Sequence, residues 1–283
     1  MLNKIGFIGT GIMGMPIVRN LLQKGFSVTV YNRSQQKAHL LEKDGAIFAD
    51  SIKACVKDKD VLMTMVGYPQ DVKEVYDEVL KYADHTLLID MTTSSPDLAK
   101  ALYDKAKEKN CQMLDAPVTG GDIGAQKGML TILCGGDQEA FNKAYPLFEA
   151  IGSNIYYLGP CGNGQYCKMC NQIAIAGALS GAIEAISYAD KMGLDKSQVM
   201  KAISAGAAGS FQLSNVAVKA ISGDFQPGFM MKHFVKDMGI ADESALSHDL
   251  RLEILEHVKK MCASLDDQNL GTQSLLKYYE SVR

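Results

Sequence analysis

The apolar run KIGFIG leads directly into Gly9-x-Gly11-x-x-Gly14, and an apolar pattern of helical period follows at once. Strand, glycine turn and helix in that order open a βαβ unit and commit the chain to a mainly parallel sheet. Each glycine has its own task. Gly9 allows the tight turn, Gly11 lets the backbone approach a pyrophosphate, and Gly14 lets helix and strand pack closely. Thr10, Ile12 and Met13 complete this candidate cofactor-binding loop. The helix is expected over 12–24, with Ile12, Met15, Val18, Leu21 and Leu22 on its apolar side.

The alternation continues for about half the chain. SVTVYN, VLMTMV, TLLIDM, CQMLDAPV, MLTILCGG and NIYYLG read as strands, and helices are expected over 35–44, 70–82, 96–108 and 137–150. The texture changes at the glycine-rich GPCGNG. From Gln165 to Lys191 there is no proline, and alanine, isoleucine and leucine abound, so one long, mostly buried helix is expected. Helical segments follow near 196–206, 210–221, 229–247, 249–265 and 271–282, without strand alternation. The predicted fold is an α/β Rossmann-type N-terminal domain over 1–161, and an all-α C-terminal domain over 162–283 built on a long interdomain helix.

A formal net charge of -3 makes no case for nucleic acid or an anionic membrane as partner. In the sequence, no apolar run reaches the roughly 20 residues that span a bilayer, and no signal-like segment precedes the first strand, so a cytoplasmic location is expected. The cysteines, at 55, 111, 134, 161, 167, 170 and 262, are odd in number, which argues against a disulfide framework. Two of them bracket a lysine in GQYCKMCNQ. Cys167 and Cys170 could bind a metal, form a redox pair or simply pack. A structural zinc site needs four ligands and no second pair is at hand, so no metal is expected. A redox pair would follow a strand, whereas this pair sits in a helical pattern. Packing thiols beside a working Lys168 is the favoured reading.

The end of the second strand selects the cofactor. There an acid would bind the ribose 2′-OH of NAD, and an arginine would suit the 2′-phosphate of NADP. The chain reads VYNRSQQK: Asn32 stands in the acid's place, Arg33 and Ser34 follow, and Lys37 adds charge. With no carboxylate there to repel a phosphate, NADP(H) is favoured over NAD(H).

Three ordered segments, GFIGTGIMGMPIVRNLL, DAPVTGGDIGAQKG and GNGQYCKMCNQ, resemble the signatures of the β-hydroxyacid dehydrogenases, and the resemblance extends over essentially the whole chain. MVGYPQDV, DMTTSSP, HFVKDMGI and NLGTQSLL are similar to the 3-hydroxyisobutyrate dehydrogenase-like branch. The resemblance implies an oxidoreductase that interconverts a small β-hydroxyacid and its semialdehyde by hydride transfer. It places the essential general acid/base on Lys168 and its partner on Asn171, spaced to share one helix face. It assigns the substrate carboxylate to Thr119, Gly120 and Gly121, where the family has serine in place of Thr119. Thr93 is placed near the nicotinamide or its ribose, and Lys236 near cofactor or substrate, with Asp237 holding Lys236 or a neighbouring helix in place. Phe234 would line the pocket or belong to the core.

Other readings share parts of this pattern. A glyoxylate or succinic semialdehyde reductase would differ in pocket size. Imine reductases generally lack the lysine, and a 6-phosphogluconate dehydrogenase needs a longer helical half. A lactate-type mechanism would call on a histidine, and His233 shows no partner motif. A catalytically inactive NADP-binding regulator would have no need to keep Lys168, Asn171 and the Thr-Gly-Gly loop together. The GxxxG-like pair Gly177/Gly181 and the family habit suggest a homodimer or homotetramer through the helical domain.

Overall fold

A computed structural model describes residues 2–281; Met1, Val282 and Arg283, which the expected domain limits and last helix include in part, lie outside that range. The chain divides into two compact units, Met1–Lys168 and Met169–Arg283.

In the first unit the elements run β1 (Lys4–Ile8), α1 (Gly14–Gln23), β2 (Ser27–Tyr31), α2 (Gln35–His39), β3 (Ile47–Phe48), α3 (Ile52–Val56), β4 (Val61–Thr64) and α4 (Pro69–Val79). They continue through β5 (Leu87–Asp90), α5 (Pro96–Lys107), β6 (Gln112–Asp115), β7 (Val118–Thr119), α6 (Gly121–Lys127), β8 (Leu130–Gly136), α7 (Gln138–Ile151) and β9 (Gly152–Tyr157). The sheet order is β3-β2-β1-β4-β5-β6-β8-β7, with β9 on β8. The strands from β3 to β6 are parallel to their neighbours, while β8 runs antiparallel to both β6 and β7. Strands β4 and β5 are buried at every position, as befits a sheet covered on both faces by helices. One apolar layer includes Phe7, Ile17, Leu21, Met63 and Phe148. The other includes Leu62, Val72, Tyr76, Leu88 and Leu102.

Several local expectations change. Helix α1 starts at Gly14, two residues later than its apolar pattern suggested. Ile12 is 63% exposed, and Ile17 takes a buried place on the helix. The segment 35–44 splits into α2 and a 3₁₀ turn, Glu42–Asp44. Elements β3, α3 and α6 are additions to the expected set.

The long helix α8, Asn163–Lys191, leads from the first unit into the second. The second unit adds α9 (Lys196–Ser204), a π-turn (Gln212–Val216), α10 (Ala217–Ile221), α11 (Met231–Leu246), α12 (Glu253–Ala263) and α13 (Leu276–Ser281). Its core joins Ala176, Leu179, Ile183 and Ile186 of α8 to Phe234 and Met238 of α11 and to Val258 of α12. Two expectations about α8 need correction. By length and composition alone it could cross a bilayer. A core helix has the same composition, and the buried stripe just named is of that kind. Yet fewer than half of its residues are buried, so the helix is not mostly buried. Gly181, Glu184 and Tyr188 are exposed, and apart from the neighbouring residues and backbone of the helix itself no described atom lies within 4 Å of a Cβ built at Gly177 or Gly181.

Candidate functional site

The sheet order reverses beside β1, between β2 and β4, which is where parallel α/β sheets open a ligand crevice at their carboxyl ends. The glycine loop lies there. Gly9 has φ +102°, and a Cβ on it would stand 2.1 Å from Met65 O after β4. A Cβ on Gly14 would stand 1.9 Å from Gly9 O. Glycine is therefore required at both positions for close backbone approach. Gly11 differs, since nothing lies within 4 Å of a Cβ there and its side of the loop is open. Helix α1 has no side-chain N-cap and no acid in its first turn, so nothing there repels an anion from its N-terminal end, although Met15 N–H already donates to Gly11 O at 3.0 Å and Pro16 has no N–H. The buried Thr10 hydroxyl has no partner among the described residues. This open, amide-lined turn fits the phosphates of a dinucleotide.

Asn32, expected at the ribose, braces the loop. Thr10 N–H donates to Asn32 Oδ1 at 3.0 Å, and Asn32 Nδ2 donates to Ser34 O at 3.0 Å. Arg33 is exposed at the end of β2, with 87% of its side chain accessible. The expectation that no carboxylate stands nearby is overturned: Asp71 Oδ1 lies 3.6 Å from the Arg33 guanidinium. The other oxygen of Asp71 accepts from Tyr68 N–H at 3.0 Å and caps α4.

A buried polar brace joins the ends of β4, β5 and β6 to the start of α8. Thr64 Oγ1 donates to Asp90 Oδ1 at 2.8 Å and lies 3.1 Å from the Tyr76 hydroxyl. Thr92 N–H also donates to Asp90 Oδ1, at 3.1 Å, and the Thr92 hydroxyl accepts from Val66 N–H at 3.0 Å. Gln165 then spans the gap: its Oε1 accepts from Ser94 N–H at 3.0 Å, and its Nε2 donates to Thr92 O at 2.8 Å. Asp115 at the end of β6 accepts from Gly162 N–H at 2.8 Å and Gln165 N–H at 2.9 Å, which caps α8. Burial pushes the Asp90 carboxyl up to about 6 against the lowering effect of Thr64 and Thr92. Burial likewise raises Asp115, although two backbone amides favour its charged form. Glycines allow this close fit, since a Cβ on Gly164 would stand 2.4 Å from Leu133 O and 2.8 Å from Asp115 Oδ2.

Lys168 lies on α8 one turn beyond Gln165 and is only 7% exposed, which is unusual for a lysine. Thr93 follows the braced Thr92 and is half-buried. Thr119 ends β7 in register with Thr131. Gly120 and Gly121 are exposed and carry φ of +123° and +65°, conformations that favour glycine. Gly121 opens α6, which is tied to α1 by Asn20 Nδ2 donating to Ala125 O at 2.7 Å.

The second unit holds a separate chain of polar side chains. Asn171 Nδ2 donates to Gln172 Oε1 at 2.7 Å, and Gln172 Nε2 donates to Asp237 Oδ2 at 2.6 Å. Lys236 Nζ lies 2.8 Å from Asp237 Oδ1. That last contact is an ion pair and not an aligned hydrogen bond, since Oδ1 has no donor of good geometry among the described residues. Phe234 is core, edge-on to Phe229 at 5.9 Å. His233 is half-buried and lowered by burial and by Lys236 and Lys232, which favours the neutral ring. Of the cysteines, Cys167 is half-buried, Cys170 is exposed and the other five are buried.

Sequence reasoning missed Asp90, Asp115, Gln165 and Gln172. Helical spacing offered one clue, because position 172 shares the face of Lys168 as closely as position 171 does.

Residues 4–159 match the family model described as the NAD binding domain of 6-phosphogluconate dehydrogenase. Residues 162–279 match the one described as NAD-binding of NADP-dependent 3-hydroxyisobutyrate dehydrogenase. The chain is 42% identical to the 3-hydroxyisobutyrate dehydrogenase-like 1 protein of Arabidopsis thaliana, over 99% of this chain and 86% of that one. It is 33% identical to 2-hydroxy-3-oxopropionate reductase of Escherichia coli K12, over 98% and 97%. The solved structure of Mycobacterium tuberculosis 3-hydroxyisobutyrate dehydrogenase with L-serine superposes with a TM-score of 0.92 at 27% identity, covering 100% of both chains.

Proposed function

The chain belongs to the β-hydroxyacid dehydrogenase family, an NAD(P)-dependent oxidoreductase group, and from that premise we propose that it interconverts a small semialdehyde and its β-hydroxyacid, with NADP(H) favoured over NAD(H). The observation that carries the reading is the buried Lys168, held on a helix whose first turn is clamped by Asp115 and Gln165. Lysine side chains are almost never fully buried unless paired, and a buried lysine near a cleft is a candidate for acid–base work.

Lys168 holds a proton at Nζ and gives it to the aldehyde oxygen in reduction, or takes it from the hydroxyl in oxidation. Asn171 orients that oxygen. The Thr119 hydroxyl and the Gly120 and Gly121 amides receive the substrate carboxylate, and the two glycines keep the backbone accessible. Lys236 adds positive charge for cofactor or substrate. The glycine loop, the uncapped start of α1, Arg33 and Thr93 hold the cofactor, which when bound supplies or accepts the hydride. Arg33 at the end of β2 favours a 2′-phosphate, and the description of the helical-half family as NADP-dependent supports the same choice. L-serine, present with the M. tuberculosis relative, is itself a β-hydroxy carboxylate, which supports this substrate class. A homodimer or homotetramer through α8 agrees with the open flank beside Gly177 and Gly181; a monomer in analytical ultracentrifugation would refute that assembly.

The test is NADPH oxidation with succinic semialdehyde, glyoxylate, methylmalonate semialdehyde and tartronate semialdehyde, repeated with NADH and with Lys168→Ala. Turnover lost in the variant while NADPH still binds is the expected result. Unchanged turnover would remove Lys168 from the mechanism. Cofactor binding without turnover of any substrate by the wild type would favour a regulator that only binds NADP.

A further inference from the structure

We propose that Gln172 and Asp237 are positioning residues that set which way round the Asn171 amide faces a ligand. The proposal deepens the dehydrogenase reading and rests on it for its functional consequence, but its physical basis is hydrogen-bond polarity within the helical unit. An isolated asparagine or glutamine amide can be turned either way with little change in shape. Here Asp237 removes the choice. As a carboxylate it only accepts, so Gln172, 2.6 Å from Oδ2, must turn its NH₂ group toward it. The Gln172 carbonyl is then committed to the other side, where it lies 2.7 Å from Asn171 Nδ2. That oxygen also only accepts, so Asn171 must turn its NH₂ group toward Gln172. Both Gln172 and Asp237 are buried, so water does not readily replace either contact. Lys236 Nζ, 2.8 Å from Asp237 Oδ1, supplies the countercharge at the anchored end.

The consequence lies at Asn171, which is half-buried. Its Oδ1 and one amide hydrogen are left for a ligand. That pair matches an alcohol, which donates and accepts, better than a carboxylate, which only accepts. Asn171 therefore reads the reacting hydroxyl end of the substrate. Asp237, expected to hold Lys236 or a neighbouring helix in place, also determines how Asn171 is presented.

The experiment exchanges donors and acceptors. Gln172→Glu sets two carboxylates against each other and leaves no donor between them, so a proton must be shared. Its kcat should fall about tenfold at alkaline pH, the value of roughly one hydrogen bond. Activity should partly return in acid, giving a new limb in the pH profile, with the cofactor KM unchanged. The double variant Gln172→Glu/Asp237→Asn restores the polarity: Asn at 237 donates to Glu at 172, which still accepts from Asn171. It should recover most of the lost kcat and lose the new limb. A double variant no better than the worse single one overturns the proposal, as does Gln172→Glu with a wild-type pH profile.

A second readout needs no turnover. In the wild type, hydrogen exchange of the Asn171 side-chain NH₂, followed by ¹⁵N NMR, should be slowed. It should speed up in Gln172→Met and be slowed again in the double variant. Fast exchange in the wild type overturns the relay even if the enzyme is active. Slowed exchange in a protein that turns over no hydroxyacid upholds the relay and instead counts against the dehydrogenase reading.

Discussion

Replacing Asp90 by asparagine should stabilise the protein at neutral pH and leave it unchanged in acid. The carboxyl is fully buried at the end of β5 and is raised from an ordinary 3.8 to about 6, chiefly by burial. Between those values the folded state holds a proton that the unfolded state has released. Stability from this group is therefore fully present below about pH 4 and is lost as pH rises through about 6. The gap, at about 1.4 kcal/mol per pH unit, amounts to roughly 3 kcal/mol. Asparagine resembles the neutral acid. Thr64 Oγ1 and Thr92 N–H both donate to Oδ1, and an amide oxygen can accept both. Asp90→Asn should thus exceed the wild type by about 3 kcal/mol well above pH 6, with the difference closing to near zero at about pH 4. The chain has no tryptophan, so urea unfolding of both proteins would be followed by far-ultraviolet circular dichroism across that range. A difference that does not change with pH would show that Asp90 does not titrate there. A less stable variant at neutral pH would show that the hydrogen bonds to the carboxylate outweigh its desolvation.

Other substitutions test neighbouring parts of the argument. Gly164→Ala sets a methyl against Leu133 O and Asp115 at the head of α8 and should cost about 3 kcal/mol or more, read as a lower melting temperature. Gly11→Ala and Gly14→Ala should separate binding from folding. The first should keep the melting temperature and lose about tenfold or more in cofactor affinity by calorimetry, while the second, 1.9 Å from Gly9 O, should lose both. Asp71→Asn keeps an acceptor for Tyr68 N–H but removes the charge beside Arg33. Because that ion pair is exposed and worth about 0–1 kcal/mol, KM for NADPH should fall by at most about fivefold while KM for NADH stays the same.

Local requirements were legible in the chain. Gly9, Gly11 and Gly14 answer to one turn, so their spacing alone announced it, and the apolar periods of β1, β4, β5 and α11 did the same for their elements. Features set by distant partners were not. Gln165 has meaning only because Ser94 and Thr92 meet it from about 70 positions away, and Gln172 only because Asp237 does. Asp71 lies far along the chain from Arg33, so a reading of VYNRSQQK had no means of finding the carboxylate. The direction of β8 depends on how its connection folds back, which the apolar run MLTILCGG does not encode. Ile12 fitted a helical period, but the glycine turn delays the helix and leaves that side chain in solvent.

Because α8 is unbroken from Asn163 to Lys191, it acts as a ruler between Lys168 and Asn171. Their separation along the axis is about 4.5 Å, fixed by helical rise and not by any loop. A loop in this chain could gain or lose a residue and adjust. One residue lost between these two would leave them two positions apart, about 200° around the axis and so on opposite faces. Over evolutionary time this stretch should therefore accept exchanges of side chain but reject the loss of a residue, even one as innocuous as alanine.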